Sequence, residues 1–457
     1  MKGRSLIRRI IGLALVPVLT VSCELFETHP VPKGWNEGPQ GGEEEMEHRG
    51  RTPSENERKV LIVYSAGYNT LRSYLKEDLE DLQKGYIPRN GLRDDVLLVL
   101  SHLNAKYGDY KTPTEPVLYR LTADRSGKVS ADTLLRLTPG PVTTKETMRQ
   151  VLEYVKTSFP AKSYGMVFSS HASGWFPPGY YAKPEDKYMD SISWEAPRRK
   201  PSFTYGGPVS VYWPEPAEGP AVKSIGQEQI DADSYEMTLR EFAAAFPMHF
   251  DYILIDACLM GAVEAAYEFK DICDGVGFSQ AEVLAEGFDY TKITRHLLEN
   301  ETPDPVSVCS DYFDYYNARS GSFRSATISF VRTDRMEALA EVCKTLFARY
   351  RPAMEVLNPK SVQNFGRKMS DGGDRGWYFD LKDVLEKAGA SEEDLAALQE
   401  ALDGCIVYKA ATPRLLGTID IRAFSGLTVY LPAFGTEFLD NYYKENVSWN
   451  DATSLVL

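Results

Sequence analysis

A histidine and a cysteine each follow a short apolar segment that is typical of a buried strand. His171 comes after residues 164–170, and Cys258 ends the segment that begins at residue 251. Functional sites of open α/β sheets form beyond the carboxyl ends of the strands. If the two strands are neighbours, imidazole and thiol face each other there, and a helix starting after Cys258 favours its thiolate. Such a thiolate is the nucleophile that acyl transfer needs.

Simpler interpretations of both residues stay open at this point. A buried cysteine often packs as a small hydrophobic side chain, and a histidine at a strand end often serves packing or capping. The chain has six cysteines, and the five beyond Cys23 are an odd number, so at least one thiol lacks a disulfide partner. The remaining histidines show no metal-ligand spacing, so the sequence predicts no metal site; they are His29, His48, His102, His249 and His296.

Strands alternate with helical segments through the first part of the chain, which predicts an α/β fold with a largely parallel sheet flanked by helices. Strands are predicted at residues 60–64, 96–100, 164–170, 251–256 and 275–279. Helices are predicted at 71–82, 148–159, 237–246 and 261–269, the second opened by a capping box at Thr143 and Glu146. Helices at 336–350 and 391–402 and strands at 326–331 and 427–431 indicate an additional C-terminal α+β subdomain.

The N-terminal residues are typical of an exported lipoprotein. Four basic residues precede an apolar stretch at 10–19, which is too short to span a bilayer. Val21-Ser22-Cys23 resembles a lipidation site, although Thr20 stands where leucine is usual, and an ordinary cleaved leader is the alternative. Residues 23–56 are rich in Pro, Gly and Glu and predict a flexible acidic tether. We therefore expect lipidation at Cys23 and a place in the bacterial cell envelope, at the outer membrane or cell surface.

The charge of the chain argues against nucleic-acid binding. The formal net charge is −14, and removing residues 1–22, with four basic and no acidic residues, takes it to −18. An acidic body repels phosphates and attracts basic substrates.

Two motifs and three further segments resemble the clostripain family of cysteine endopeptidases, relatives of the caspases and gingipains. The motifs are His-Ala-Ser-Gly-Trp at 171–175 and Asp-Ala-Cys-Leu-Met-Gly at 256–261, and the further segments lie at 64–69, 287–290 and 426–432. The resemblance covers most of residues 57–455. It implies a caspase-like catalytic domain at 57–300 with an insertion loop at 176–230, followed by the C-terminal subdomain at 301–457.

The resemblance also implies roles for single residues. Cys258 would be the nucleophile and His171 the proton shuttle of a Cys-His dyad, with the backbone N–H groups of Cys258 and Ala172 as oxyanion donors. Asp256 would bind a basic P1 side chain, with an N-cap of the following helix as the equally weighted alternative. Ser279, Gln280 and Glu282 would complete the substrate pocket.

Three features depart from the family pattern. Ala172 replaces the usual glycine and would be strained at positive φ. Ala281 stands where basic-specific members place an acidic residue, although Glu282 or Glu286 could substitute. Family members often cut themselves between the histidine and the cysteine, and the basic residues 198–200 offer such a target. No cofactor is expected, although calcium stays open because some relatives need it; Asp371-Gly372-Gly373-Asp374 lacks the rest of a calcium loop.

The predicted function is therefore hydrolysis of peptide bonds in protein or peptide substrates, after Arg or Lys, by a monomer. The main alternative is an inactive surface lipoprotein that uses the peptidase fold for binding, which Ala172 and Ala281 favour. Retention of both Cys258 and His171 argues against that alternative. A weaker third hypothesis is a transpeptidase or self-processing protein whose substrate is itself.

Overall fold

A mixed sheet of nine strands organises the chain. The computed structural model describes residues 58–89, 95–112, 114–178, 226–230, 233–366 and 377–457. In chain order its strands are β1 Lys59–Gly67, β2 Val96–Leu103, β3 Val117–Ala123, β4 Val129–Arg136, β5 Ser163–Ser169, β6 Glu228–Ile230, β7 Asp233–Tyr235, β8 Tyr252–Asp256, β9 Gly275–Phe278, β10 Thr327–Arg332, β11 Phe379–Asp380, β12 Ile406–Ala411, β13 Arg414–Leu415, β14 Ile419–Asp420 and β15 Thr428–Val429. The nine-stranded sheet has the order β12-β10-β9-β8-β5-β1-β2-β3-β4.

The centre of this sheet is parallel and its edges are antiparallel. Strands β9, β8, β5, β1 and β2 pair in parallel, whereas β3 and β4 on one side and β10 and β12 on the other pair antiparallel. Every residue of β1 and β8 is buried, as expected for parallel strands covered on both faces. The predicted α/β fold with a largely parallel sheet is confirmed.

The helices of the described residues cover this sheet. They are α1 Arg72–Leu82, α2 Lys145–Ser158, α3 Leu239–Ala244, α4 Val263–Glu268, α5 Tyr290–Thr294, α6 Pro305–Asn317, α7 Met336–Met354, α8 Leu381–Lys387, α9 Glu392–Cys405, α10 Glu437–Asn446 and α11 Ser448–Thr453. The predicted capping box of α2 is wrong by one residue, because Thr144 accepts the N–H of Thr147 while the Thr143 hydroxyl bonds Glu228. A complete capping box instead opens α3, between Thr238 and Glu241.

The C-terminal part of the chain adds two strands to the nine-stranded sheet and does not form a separate large sheet within the described residues. Strands β10 and β12 come from beyond residue 300 and extend the sheet next to β9. The remaining strands of this part are pairs of two residues each. The division at residue 300 stays a prediction, but the two parts share one hydrophobic core.

The predicted insertion loop lies mostly outside the described residues. Residues 179–225 fall in that gap, whereas residues 226–230 are described and contain β6, which pairs with β7. The last residues of the predicted loop are therefore a strand that packs on the body. This segment contacts the turn after β1 through the carbonyl of Gln227 and the N–H of Gln229.

Candidate active site

The register of two neighbouring strands brings His171 and Cys258 to the same edge of the sheet. Strand β5 pairs in parallel with β8, and Ser169 lies opposite Asp256. His171 and Cys258 each follow two residues after this pair, so both leave the carboxyl ends of their strands at the same level. Cys258 is 0% exposed and His171 is 4% exposed. The two strands are therefore neighbours, as predicted, and both side chains are buried.

The polar environment of the Cys258 thiol comes from a backbone segment that follows β9. The N–H of Val283 donates to Cys258 Sγ at 3.1 Å. The predicted helix start next to Cys258 is wrong, because α4 begins only at Val263 and its N-cap, Ala262, has no side-chain cap. A backbone N–H, rather than the positive end of a helix, is thus the partial positive charge that the structure places at the sulfur.

The backbone of residues 259–262 runs beside the segment after β9 before α4 begins. The N–H of Leu259 donates to the carbonyl of Ala281 at 2.9 Å, and that of Gly261 donates to the carbonyl of Ser279 at 2.7 Å. Leu259 has a φ of 60°, an uncommon value for a residue with a side chain. The carbonyl of Gly261 accepts the N–H of Thr428 at 2.9 Å, so the hydrogen bond at the helix start runs from the N–H of Ala266 to the carbonyl of Ala262. These hydrogen bonds fix the position of Cys258 next to the segment that follows β9.

His171 is held through its Nε2 atom. Thr70 Oγ1, in the turn after β1, lies 2.9 Å from His171 Nε2. Ala172 next to it does not have a positive φ, so the predicted strain of replacing glycine is absent. The glycine of the motif that needs its conformation is Gly174, with a φ of 67°, where a Cβ would lie 2.8 Å from the carbonyl of Leu259.

Asp256 lies beneath the same edge and is 1% exposed. Its Oδ2 accepts hydrogen bonds from the hydroxyls of Tyr290, at 3.0 Å, and Ser169, at 3.3 Å. The alternative that Asp256 caps the following helix is wrong, since the N-cap of α4 is Ala262. The structure therefore buries a carboxylate two residues before Cys258, and hydroxyl groups are the donors that the described contacts give it.

Three tyrosines feel the charge of Asp256 and remain protonated. Burial raises the pKa of Tyr290, Tyr312 and Tyr316 well above the ordinary value of 10.0, and the charge of Asp256 raises all three further. Tyr316 donates its hydroxyl proton to the carbonyl of Gly287 at 2.9 Å. Of these three, only Tyr290 belongs to a segment of the family resemblance, at residues 287–290. Tyr312 and Tyr316 lie on α6, which nothing in the local sequence connects with Asp256.

Ser279 and Gln280, predicted to bind substrate, are buried in hydrogen bonds. The Ser279 hydroxyl donates to the carbonyl of Ala281 at 3.0 Å and lies 2.9 Å from Thr327 Oγ1. The Gln280 amide donates to Ser329 Oγ at 3.0 Å and to the carbonyl of Gly426 at 2.7 Å. These bonds tie the end of β9 to β10 and to the C-terminal segment. Their roles in substrate binding stay predictions.

The two glutamates considered as substitutes at the pocket differ in their surroundings. Glu282 is buried next to Val283, the residue whose N–H contacts the thiol. Glu286 is partly exposed and accepts hydrogen bonds from Tyr315, at 2.6 Å, and Arg319, at 2.9 Å. The Arg319 guanidinium thus compensates the charge of Glu286, which makes Glu286 a poor second acid for a basic substrate.

An aromatic platform supports the histidine motif from the C-terminal part of the chain. Trp175 packs against Tyr430 and Tyr443, with ring centroids 4.9 Å apart in both pairs. Tyr443 and the N–H of Tyr430 donate to Glu264 Oε1 of α4, at 2.6 and 2.9 Å. Tyr378 adds a hydrogen bond from its hydroxyl to the carbonyl of Ser173 at 2.8 Å. Both motifs therefore rest on residues far away in the sequence.

Several predicted features fall outside the described residues or lack structural counterparts among them. Cys23, the basic residues 198–200 and the acidic residues 371 and 374 are not described. Within the described ranges, no group of three or more His, Cys, Asp or Glu is placed to hold a metal ion. All five cysteines beyond Cys23 are buried, and none of them forms a disulfide within the described residues. No helix of the described chain has the length and hydropathy needed to cross a membrane.

Comparison with known proteins agrees with this fold. The model of the clostripain family matches residues 63–189 and 211–453. An inactive zymogen C11 protease from Parabacteroides distasonis superposes with a TM-score of 0.66 at 24% identity, covering 88% of this chain and 99% of its own. A secreted C11 cysteine protease from Bacteroides thetaiotaomicron, in complex with an irreversible peptide inhibitor, gives 0.64 at 21% identity, covering 87% and 98%. No match was found among curated proteins.

The fold and the family match together define a caspase-like cysteine peptidase. The chain belongs to the clostripain family.

Proposed function

We propose that the chain hydrolyses peptide bonds with Cys258 as nucleophile and His171 as proton shuttle. The Cys258 thiolate attacks the scissile carbonyl carbon, and the oxyanion takes hydrogen bonds from the backbone N–H groups of Cys258 and Ala172. His171 gives its proton to the leaving amine, and water then hydrolyses the thioester. The observation that carries this proposal is the register of β5 and β8, which sets both residues level at one edge.

The proposed specificity is for Arg or Lys at P1. Asp256 is a buried carboxylate two residues before the nucleophile, and its described donors are the hydroxyls of Ser169 and Tyr290. A basic side chain entering this region would replace hydroxyl contacts by a charge-assisted pair. The compensation of Glu286 by Arg319 favours Asp256 as the acid that matters.

The covered nucleophile supports an inactive resting form. Cys258 is fully buried, and the Val283 N–H is already bonded to its sulfur. We propose that cleavage within residues 176–230 releases this form, and that the chain makes this cut itself. The burial of Cys258 is also the observation that favours the alternative function, a surface lipoprotein that binds without cleaving.

The proposed location is the bacterial cell envelope, reached through a lipid on Cys23. The basic leader, the short apolar stretch at 10–19 and Val21-Ser22-Cys23 support this proposal. Metabolic labelling with a radioactive fatty acid should mark the wild type and leave Cys23→Ser unlabelled. Equal labelling of both would refute the anchor at Cys23.

The experiment that tests the proposed function is turnover of fluorogenic peptides with Arg, Lys or a neutral residue at P1. Full-length protein in detergent micelles is compared with Cys258→Ala and His171→Ala, with and without calcium, and self-cleavage is followed on gels. We expect cleavage after Arg and Lys that both variants lose. If the wild type neither cleaves any peptide nor cuts itself, the binding function takes its place.

A further inference from the structure

A threonine outside both motifs contacts the histidine of the proposed dyad. Thr70 lies in the turn between β1 and α1, and its Oγ1 is 2.9 Å from His171 Nε2. Thr70 is partly buried, and this is the side-chain hydrogen bond that the described residues give it. The hydroxyl is therefore directed at the ring nitrogen rather than engaged in a cap of α1, which has no side-chain cap.

The turn that carries Thr70 is fixed by its own hydrogen bonds. The buried Asn69 side chain accepts the N–H of Leu71 at 2.8 Å and donates to the carbonyl of Ala66 at 3.1 Å. The hydroxyl of Ser170, next to His171, donates to the same carbonyl at 2.8 Å. Buried hydrogen bonds thus fix the position of Thr70 relative to the strand that precedes His171. The contact between Thr70 and His171 is therefore a defined feature of the fold.

The strand after the insertion holds the same turn from its other side. Asn69 Nδ2 donates to the carbonyl of Gln227 at 2.7 Å, and the N–H of Gln229 donates to the carbonyl of Tyr68 at 2.8 Å. Glu228 between them is buried and accepts the N–H of Val142 at 2.6 Å, besides contacting His102. The turn is therefore clamped between the body and the segment that follows residues 179–225.

The chemistry of a proton shuttle gives this contact a function. A histidine exchanges protons with nucleophile and leaving group at one ring nitrogen, and the bond made by its other nitrogen decides which tautomer is present. A hydroxyl can accept the Nε2 proton both in the neutral ring and in the imidazolium. Nδ1 is then the nitrogen that takes the proton of the thiol and passes it to the leaving amine.

We propose that Thr70 is a positioning residue of the active site, whose hydroxyl accepts the Nε2 proton of His171 and directs Nδ1 to Cys258. This role rests on the proposed function of His171 and Cys258. It assigns to the turn after β1 a part in catalysis that neither motif contains.

The tautomer of His171 tests this role without any need for peptidase activity. Full-length protein labelled with ¹⁵N-histidine is studied by NMR, and the His171 signal is identified by its loss in His171→Gln. The expected result is a neutral ring protonated at Nε2 in the wild type and in Thr70→Ser, and a loss of this preference in Thr70→Val. A wild-type ring protonated at Nδ1, or an unchanged tautomer in Thr70→Val, would overturn the proposal.

Kinetics of the same variants separate positioning from structure. Thr70→Val should lower kcat about tenfold, the equivalent of one hydrogen bond of about 1.4 kcal/mol, with KM unchanged within about twofold. Thr70→Ser should recover most of the loss, and circular dichroism should show the same fold for both. Equal kcat in Thr70→Val and wild type counts against the proposal. Failure of the proposed function is seen separately, either as a wild type that cleaves no peptide or as turnover that Cys258→Ala does not abolish, and the tautomer of His171 then still tests the contact with Thr70.

Discussion

The substitution Glu264→Gln should remove a loss of unfolding free energy that the wild type shows as the pH rises. Glu264 is fully buried in α4, six residues after Cys258, where its Oε1 accepts hydrogen bonds from Tyr443 and Tyr430. Its Oε2 has no hydrogen-bond partner among the described residues. Burial raises the pKa of this carboxyl from its ordinary 4.5 to about 7, although the bonds from Tyr443 and Tyr430 lower it in part.

The sign of the effect follows from the raised pKa. The folded state binds the proton more tightly than the unfolded state, so the stability from Glu264 is fully present below 4.5 and is lost as the pH rises through about 7. Each pH unit of difference in pKa is worth about 1.4 kcal/mol. Between about pH 5 and about pH 8.5 the wild type should therefore lose roughly 2 to 3 kcal/mol of unfolding free energy through this group.

Glutamine preserves the acceptor that Tyr430 and Tyr443 use but cannot ionise. Urea unfolding of wild type and Glu264→Gln is measured at both pH values, and Glu400→Gln, on an exposed position of α9, is the matched control. The variant should gain roughly 2 to 3 kcal/mol relative to wild type between the lower and the higher pH, and the control should gain nothing. A difference between variant and wild type that is the same at both pH values would refute the reasoning.

Three further substitutions test single contacts. Asp256→Asn should lower kcat/KM about hundredfold for substrates with Arg at P1, because the basic side chain loses its charged partner. For substrates with a neutral P1 residue, kcat/KM should change by less than about threefold. Equal losses for both kinds of substrate would show that Asp256 does not set specificity. Gly174→Ala should destabilise the fold by about 2 kcal/mol in urea unfolding, since its φ is 67° and the new Cβ would lie 2.8 Å from the Leu259 carbonyl oxygen; an unchanged midpoint would contradict the strain. Thr238→Ala should cost about 1 kcal/mol by the same assay, and Thr238→Ser much less, because only serine retains the cap on Glu241; equal effects would exclude the cap as the cause.

The parallel centre of the sheet could be predicted because its strands are continuous apolar runs. Strand β1 and strand β8 are buried on both faces, and such segments stand out in the sequence. No strand was predicted at Val117–Ala123 or Val129–Arg136, which form the antiparallel edge. Strand β4 is largely exposed, so its residues carry no apolar run, and only its pairing with β3 makes it a strand.

Two boundaries differ because backbone groups find partners far away in the sequence. The helix predicted to start at residue 261 begins at Val263, because the carbonyl of Gly261 accepts the N–H of Thr428 instead of a helical N–H. The strand predicted at 427–431 covers only Thr428–Val429, since the N–H of Tyr430 bonds the carboxyl of Glu264. Neither partner can be read from the local sequence.

The candidate site was predictable where it follows strand order and unpredictable where loops meet. His171 and Cys258 could be paired because each follows a buried strand. Thr70 and Val283 reach the same two side chains from a turn and from the segment after β9, and neither carries a motif. Contacts of this kind depend on how loops close over the sheet, which the spacing of residues does not encode.

Covalent labelling of the proposed nucleophile, Cys258, tests the central claim most directly. Full-length protein is incubated with a peptide chloromethyl ketone that carries Arg at P1, and the modified residue is located by mass spectrometry in wild type and His171→Ala. We predict one adduct, on Cys258, that forms much more slowly in His171→Ala and with a neutral P1 residue. Modification of another residue, or no adduct on Cys258 once residues 176–230 are cut, would contradict the assignment of this site.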